Sequence, residues 1–227
     1  MFSVKKGTLV VIEGTDGSGK ETQARLLCQS LERLCLPVNF LSFPCYGTPA
    51  CAPVEMYLGG KFGKKPEDVS PYAASVMYAI DRYASFKTRW AAAYEKGEIF
   101  VADRYTTSNA VHQAAKLPPE DRTAYLAWLY DIEYNKIGIP SPDLVVYLDL
   151  PPEASGKMLR NRSGKPGVQH DIHETNTEFL RKSRENALGI AQSSGWKVVA
   201  AGDKNGPYTK EAIHAKILRL AKPLLGF

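Results

Sequence analysis

Residues 8–22 read TLVVIEGTDGSGKET, and the rest of the chain is best understood outward from them. Residues 8–13 form a short apolar run rich in β-branched side chains, the mark of a strand covered on both faces. Residues 21–35 carry Ala24, Leu27, Leu31 and Leu34 at helical spacing, and Pro37 ends that pattern. Between strand and helix, Gly14 and Gly19-Lys20 satisfy Gly-x-x-x-x-Gly-Lys, so a phosphate-binding loop stands in the context it requires. Gly14, Gly17 and Gly19 allow a tight turn with inward N–H groups, Thr15, Asp16 and Ser18 complete the loop, and Lys20 reaches toward the β and γ phosphates of ATP. The usual hydroxyl after the lysine is replaced by Glu21, with Thr22 one residue later. Glu21 either ligates Mg²⁺ or faces solvent at the helix N-terminus, and Thr22 is the alternative ligand.

Further apolar runs at residues 38–42, 99–102, 144–150 and 197–201 alternate with helical patterns at 71–96, 120–136, 177–192 and 209–221. This alternation predicts an α/β chain of the P-loop NTPase fold, a five-stranded parallel sheet with helices on both faces and ligands beyond the strands' C-terminal ends. One domain, residues 1–227, is expected. Residues 160–173 (RNRSGKPGVQHDIH) are basic, contain glycine and lack apolar periodicity, as a mobile lid would.

With 44% apolar and 23% charged residues, the 227-residue chain has the composition of a globular domain. Its net charge of +5 is too dispersed to predict nucleic-acid binding. Cys28, Cys35, Cys45 and Cys51 include no Cys-x-x-Cys pair and no histidine at zinc-site spacing, so thiols without a metal role are expected. No apolar run is long enough for a membrane span and no leader pattern opens the chain; a cytoplasmic protein without membrane partners is the expectation. A GTPase would carry an Asn/Thr-Lys-x-Asp motif, and Asp203-Lys204-Asn205 has the wrong order.

Four separated segments, EGTDGSGKET (residues 13–22), FPCYGTP (43–49), YAIDR (78–82) and DRYTTSNAVHQ (103–113), followed at a suitable distance by the basic lid, resemble the thymidylate kinase family over almost the whole chain. The resemblance implies phosphoryl transfer from Mg²⁺-ATP to dTMP, on the path to dTTP, and a homodimer. It implies that Asp16 binds the acceptor's 3′-hydroxyl, that Asp103 organises Mg²⁺ through water, and that Arg104 holds a phosphate. Tyr78 would stack on the pyrimidine, Arg82 would bond its carbonyl edge, and Asn109 would read its N3–H and O4. Tyr46 would touch the acceptor phosphate, Ser108 and Gln113 complete the motif, and His112 stands where relatives crowd the sugar's 2′ position. Because Gly17 occupies the loop position at which some relatives carry arginine, the lid must supply that cation, from Arg160 or Arg162 ahead of Lys165. The competing readings are another nucleoside or nucleotide kinase on this scaffold, opposed by the trio Tyr78, Arg82 and Asn109, and an inactive nucleotide-binding regulator, opposed by the intact Lys20, Asp103 and Arg104.

Overall fold

In the computed structural model, which describes residues 6–151, 154 and 177–227, strand β1 (Thr8–Gly14) lies at the centre of the sheet. Its side chains alternate, as strand geometry requires: Val10 and Ile12 enter one apolar layer, Leu9 and Val11 the other, and all four are sealed from solvent. β1 pairs in parallel with β3 (Ile99–Asp103) and β4 (Leu144–Asp149); β2 (Val38–Ser42) lies beyond β3, and β5 (Lys197–Ala200) beyond β4. The order is therefore β2-β3-β1-β4-β5. The registers Ile12↔Asp103, Ser42↔Asp103 and Gly14↔Leu148 bring the C-terminal ends of four strands level along one edge.

Helices α1 (Lys20–Arg33) and α8 (Lys210–Leu225) cover the Val10/Ile12 face through Leu27, Leu31, Ile213 and Ile217. The Leu9/Val11 face is covered by Phe86, Trp90 and Tyr94, which belong to the helical segment predicted over 71–96. That segment is α3 (Pro71–Ser85), a π-helical turn (Phe86–Trp90) and α4 (Ala91–Glu95). The pattern predicted over 120–136 likewise comprises α6 (Pro119–Tyr130) and a second π turn (Asp131–Ile137), which ends at Gly138 in the left-handed region. Two short helices were not anticipated, α2 (Ala52–Leu58) and α5 (Thr106–His112). α7 (Thr177–Ser194) packs on α5, and its Asn186 donates to the carbonyls of Ala110 and Val111. The Asp203-Lys204-Asn205 stretch forms the turn of a hairpin, β6 (Gly202–Asp203) and β7 (Gly206–Pro207), where Asp203 accepts from the Asn205 N–H.

All four cysteines are free thiols. Among the described residues no helix is long and apolar enough to cross a membrane. The outer face of α3 carries an apolar stripe that the sequence pattern did not single out: Tyr72, Val76, Ile80 and Tyr83 are 41%, 39%, 47% and 42% exposed. The expected lid, with Arg160, Arg162 and Lys165, lies outside the described residues.

Candidate active site

The loop after β1 turns on two glycines in the left-handed region, Gly17 (φ 80°) and Gly19 (φ 84°), where a side chain would be strained. Gly14 is required for a different reason: a Cβ there would sit 2.5 Å from the Ser18 hydroxyl and 2.9 Å from the Leu148 carbonyl. Gly19 caps α1 without a side-chain hydrogen bond, so the helix's first N–H groups are left for a ligand. Lys20, the first helical residue, folds back over the loop, and its Nζ donates to the Thr15 carbonyl (3.3 Å) and to Asp16 Oδ1 (3.1 Å).

β3 delivers the second half of the charge cluster. Arg104 follows the strand at φ 66°, an unfavourable conformation for a residue with a side chain, and its N–H donates to the Ile12 carbonyl (3.2 Å). The reversal turns its guanidinium back toward the loop, where Nη2 donates to Asp16 Oδ1 and Nη1 approaches Ser108 Oγ and His112 Nε2, each at 3.4 Å. Burial opposes the charge on Asp16, but Arg104 and then Lys20 overcome it and hold its carboxyl far below the usual carboxylate range. Asp103 behaves differently. Burial raises its pKa, its Oδ2 accepts from Ser42 at 3.4 Å, and its Oδ1 is buried without a hydrogen-bond partner.

These groups line one wall of a cleft of about 460 Å³ at the strands' C-terminal edge. The rest of the lining comes largely from α3 and α5. Tyr78 meets Tyr57 edge to face at 6.3 Å. Arg82 is bound by Glu133 through Nε (2.7 Å) and Nη2 (2.6 Å), while its Nη1 reaches the Tyr105 carbonyl at 3.4 Å. Asn109 donates to the Ser75 carbonyl at 3.4 Å. Gln113 is buried with no partner for Oε1. Tyr46, 63% exposed at the rim, sits on a loop tied down by the bond from Cys45 N–H to Asp81 Oδ2 (2.9 Å).

The structure thus gathers in one cleft Asp16, Gly17, Gly19, Lys20, Glu21, Thr22, Tyr46, Tyr78, Arg82, Asp103, Arg104, Ser108, Asn109, His112 and Gln113. Gly14, Thr15 and Ser18 lie behind it as buried loop framework. Three important residues were not foreseen. Glu13, fully buried, accepts from Gly14 N–H, Thr107 and Ser108 (3.1, 2.7 and 2.8 Å) and so ties α5 to the phosphate loop. Glu133 anchors Arg82. Lys116, whose ammonium burial pushes down to about 8, donates to Tyr57 and to the Val69 carbonyl, bracing the ring against which Tyr78 rests.

Among the described residues no group of three or more His, Cys, Asp or Glu could hold a metal ion. The donor set still suits Mg²⁺ arriving with phosphates, since Asp103 presents an unpartnered carboxylate oxygen beside Lys20 and Glu21. Glu21 and Thr22 are both exposed, and Glu21 is paired with Arg25 at 3.0 Å.

The family described as thymidylate kinase matches residues 12–217. The thymidylate kinase of Mycobacterium tuberculosis is 31% identical over 191 residues, which span 83% of this chain and 87% of that protein. A probable thymidylate kinase of Thermococcus kodakarensis is 31% identical over 221 residues, 96% of this chain and 98% of its own. Among solved structures, the thymidylate kinase of Candida albicans has the same fold, with a TM-score of 0.67 at 21% identity over 96% of this chain and 92% of that one.

Proposed function

The chain belongs to the thymidylate kinase family, nucleoside monophosphate kinases that phosphorylate dTMP in dTTP synthesis, and we propose from that premise how its cleft divides the task. The observation that carries the proposal is the meeting of Asp16, Lys20 and Arg104 in one cleft that runs from the phosphate loop to the recess lined by α3 and α5.

The loop N–H groups and the N-terminus of α1 hold the ATP phosphates, and Lys20 spans β and γ. Arg104 grips the acceptor phosphate with a planar fork of donors, and Asp16 accepts from the 3′-hydroxyl. Tyr78 stacks on the base while Arg82 Nη1 and Asn109 meet its polar edge. Ser108, His112, Gln113 and the rim residue Tyr46 enclose sugar and phosphate. An acceptor phosphate oxygen attacks the γ phosphorus in line, the bond to the β–γ bridging oxygen breaks, and ADP leaves with that electron pair. Asp103, acting through water, with Glu21 or Thr22, would hold Mg²⁺, which would supply neutralisation of charge on the phosphates. The cation over the transferring group comes from Arg160 or Arg162 of the lid, with Lys165 third, all outside the described residues.

The test is Mg²⁺-dependent ADP production with dTMP, dUMP, UMP, CMP, AMP and thymidine offered separately. Preference for dTMP is the expected result; preference for another acceptor would keep the transfer chemistry and overturn the base pocket.

The working assembly we propose is a homodimer formed through the α3 stripe, in the cytoplasm, where four free thiols are at home. Ile80→Lys, which puts a charge in the middle of the apolar stripe, is expected to shift the protein to monomer in sedimentation. An unshifted dimer would place the interface elsewhere.

A further inference from the structure

Arg82 and Glu133 are 51 residues apart in sequence and make a sealed ion pair, with side chains 2% and 0% exposed. A buried pair of this kind is no better for stability than a well-packed apolar pair, so its position calls for another explanation. That position is the wall of the cleft, since Arg82 lines it. Two of the three guanidinium nitrogens are fixed by Glu133 at 2.7 and 2.6 Å, which leaves Nη1, with its longer 3.4 Å contact, as the edge that can meet a ligand.

Glu133 is itself held from several directions. Thr106 Oγ1 donates to its Oε2 (2.8 Å), and its backbone carbonyl accepts from Gly138 and Ile139 (3.0 and 3.1 Å) as the second π turn closes. Thr106 opens α5, the helix that carries Asn109. One carboxylate therefore ties together the two elements that present polar groups to the recess.

We propose that Glu133 is the positioning residue of the base pocket, locking Arg82 in one orientation and cancelling its charge so that the pocket takes a neutral pyrimidine and rejects its N3-deprotonated anion. This rests on the reading that Arg82 and Asn109 face the acceptor's base. The titratable and charged groups around the guanidinium are Glu133, the hydroxyls of Tyr105, Tyr125 and Tyr134, and Asp81 on the same helix. Burial raises all three tyrosines far above their ordinary range and keeps them neutral, and Asp81 is turned to the Cys45 N–H. Without Glu133, the cation that remained would favour an ionised base.

The test compares wild type, Glu133→Gln and Glu133→Asp, with thermal melting and ATP binding as controls for folding. Glu133→Gln is expected to raise KM for dTMP by about 10-fold or more with kcat changed only a few-fold, because a ground-state contact is lost. With 5-fluoro-dUMP, whose N3–H is the more acidic, wild-type KM should climb as pH rises through the ionisation of the base, while in Glu133→Gln the curve should flatten. Glu133→Asp keeps the charge and shifts the fork, so it should raise KM for dTMP and retain the wild-type pH curve. A wild type that phosphorylates dTMP, beside folded variants with unchanged KM and unchanged pH curves, would overturn the assignment of Glu133. A wild type that does not accept dTMP would instead remove the acceptor reading on which it rests, an outcome visible before any variant is made.

Discussion

Lys20→Ala is expected to lower kcat by about 100- to 1,000-fold while leaving a folded protein that still melts cooperatively. The ammonium is nearly sealed and held over the phosphate loop by Thr15 and Asp16, where it would meet the β and γ phosphates as charge shifts between them. Interactions that strengthen in the transition state appear in kcat rather than in binding, so KM for dTMP should move little. The fold should survive because Asp16, which would otherwise be an unpaired, largely enclosed carboxylate, keeps its partner Arg104. Steady-state turnover with saturating ATP measures the effect; a variant within a few-fold of wild type would take Lys20 out of the chemistry.

Arg104→Ala should be comparably severe but fall on the acceptor side, raising KM for dTMP and reducing kcat/KM by about 100-fold or more. A glycine at the same position separates catalysis from backbone strain. Arg104 sits at φ 66°, which costs about 1–2 kcal/mol for a residue with a Cβ and little for glycine. Arg104→Gly should therefore be as inactive as Arg104→Ala and more stable by about 1 kcal/mol in denaturant titration. Equal stability of the two would mean that neighbouring structure relaxes around the alanine, and retained acceptor affinity in either would reassign the phosphate contact.

How legible this site was in the sequence depended on the distance over which each contact acts. The phosphate loop could be read because everything it needs lies within residues 8–22: a buried strand, glycines where the chain must turn, and a lysine at the first position of the helix. The five strands were legible for the same local reason. Glu13, Glu133 and Lys116 were not, since their partners lie 94, 51 and 59 residues away and no spacing rule announces a pairing across elements. The role expected of Arg82 was thus framed without the carboxylate that occupies two of its nitrogens. α5 escaped notice because Thr106, Thr107, Ser108 and Asn109 are weak helix formers, and what offsets this is the set of hydroxyl bonds to Glu13 and Glu133. The π turns leave no mark in a 3.6-residue pattern, and so the segments around them read as uninterrupted helices.

The wide turn at Phe86–Trp90 also sets how α3 can change over evolutionary time. Upstream of it, one side of the helix shows Tyr72, Val76, Ile80 and Tyr83 to the exterior, while Tyr78 and Arg82 serve the recess. A single residue added within α3 would rotate one end against the other by about 100°, trading one set for the other, so length changes there should be purged. The π turn is the helix's own change of phase: Phe86 and Trp90 at its two ends, and Tyr94 beyond it, address the sheet on a spacing that need not agree with the one before. One continuous rod can therefore obey two incompatible periodic demands, and drift in the core-facing half need not be copied into the half that lines the cleft.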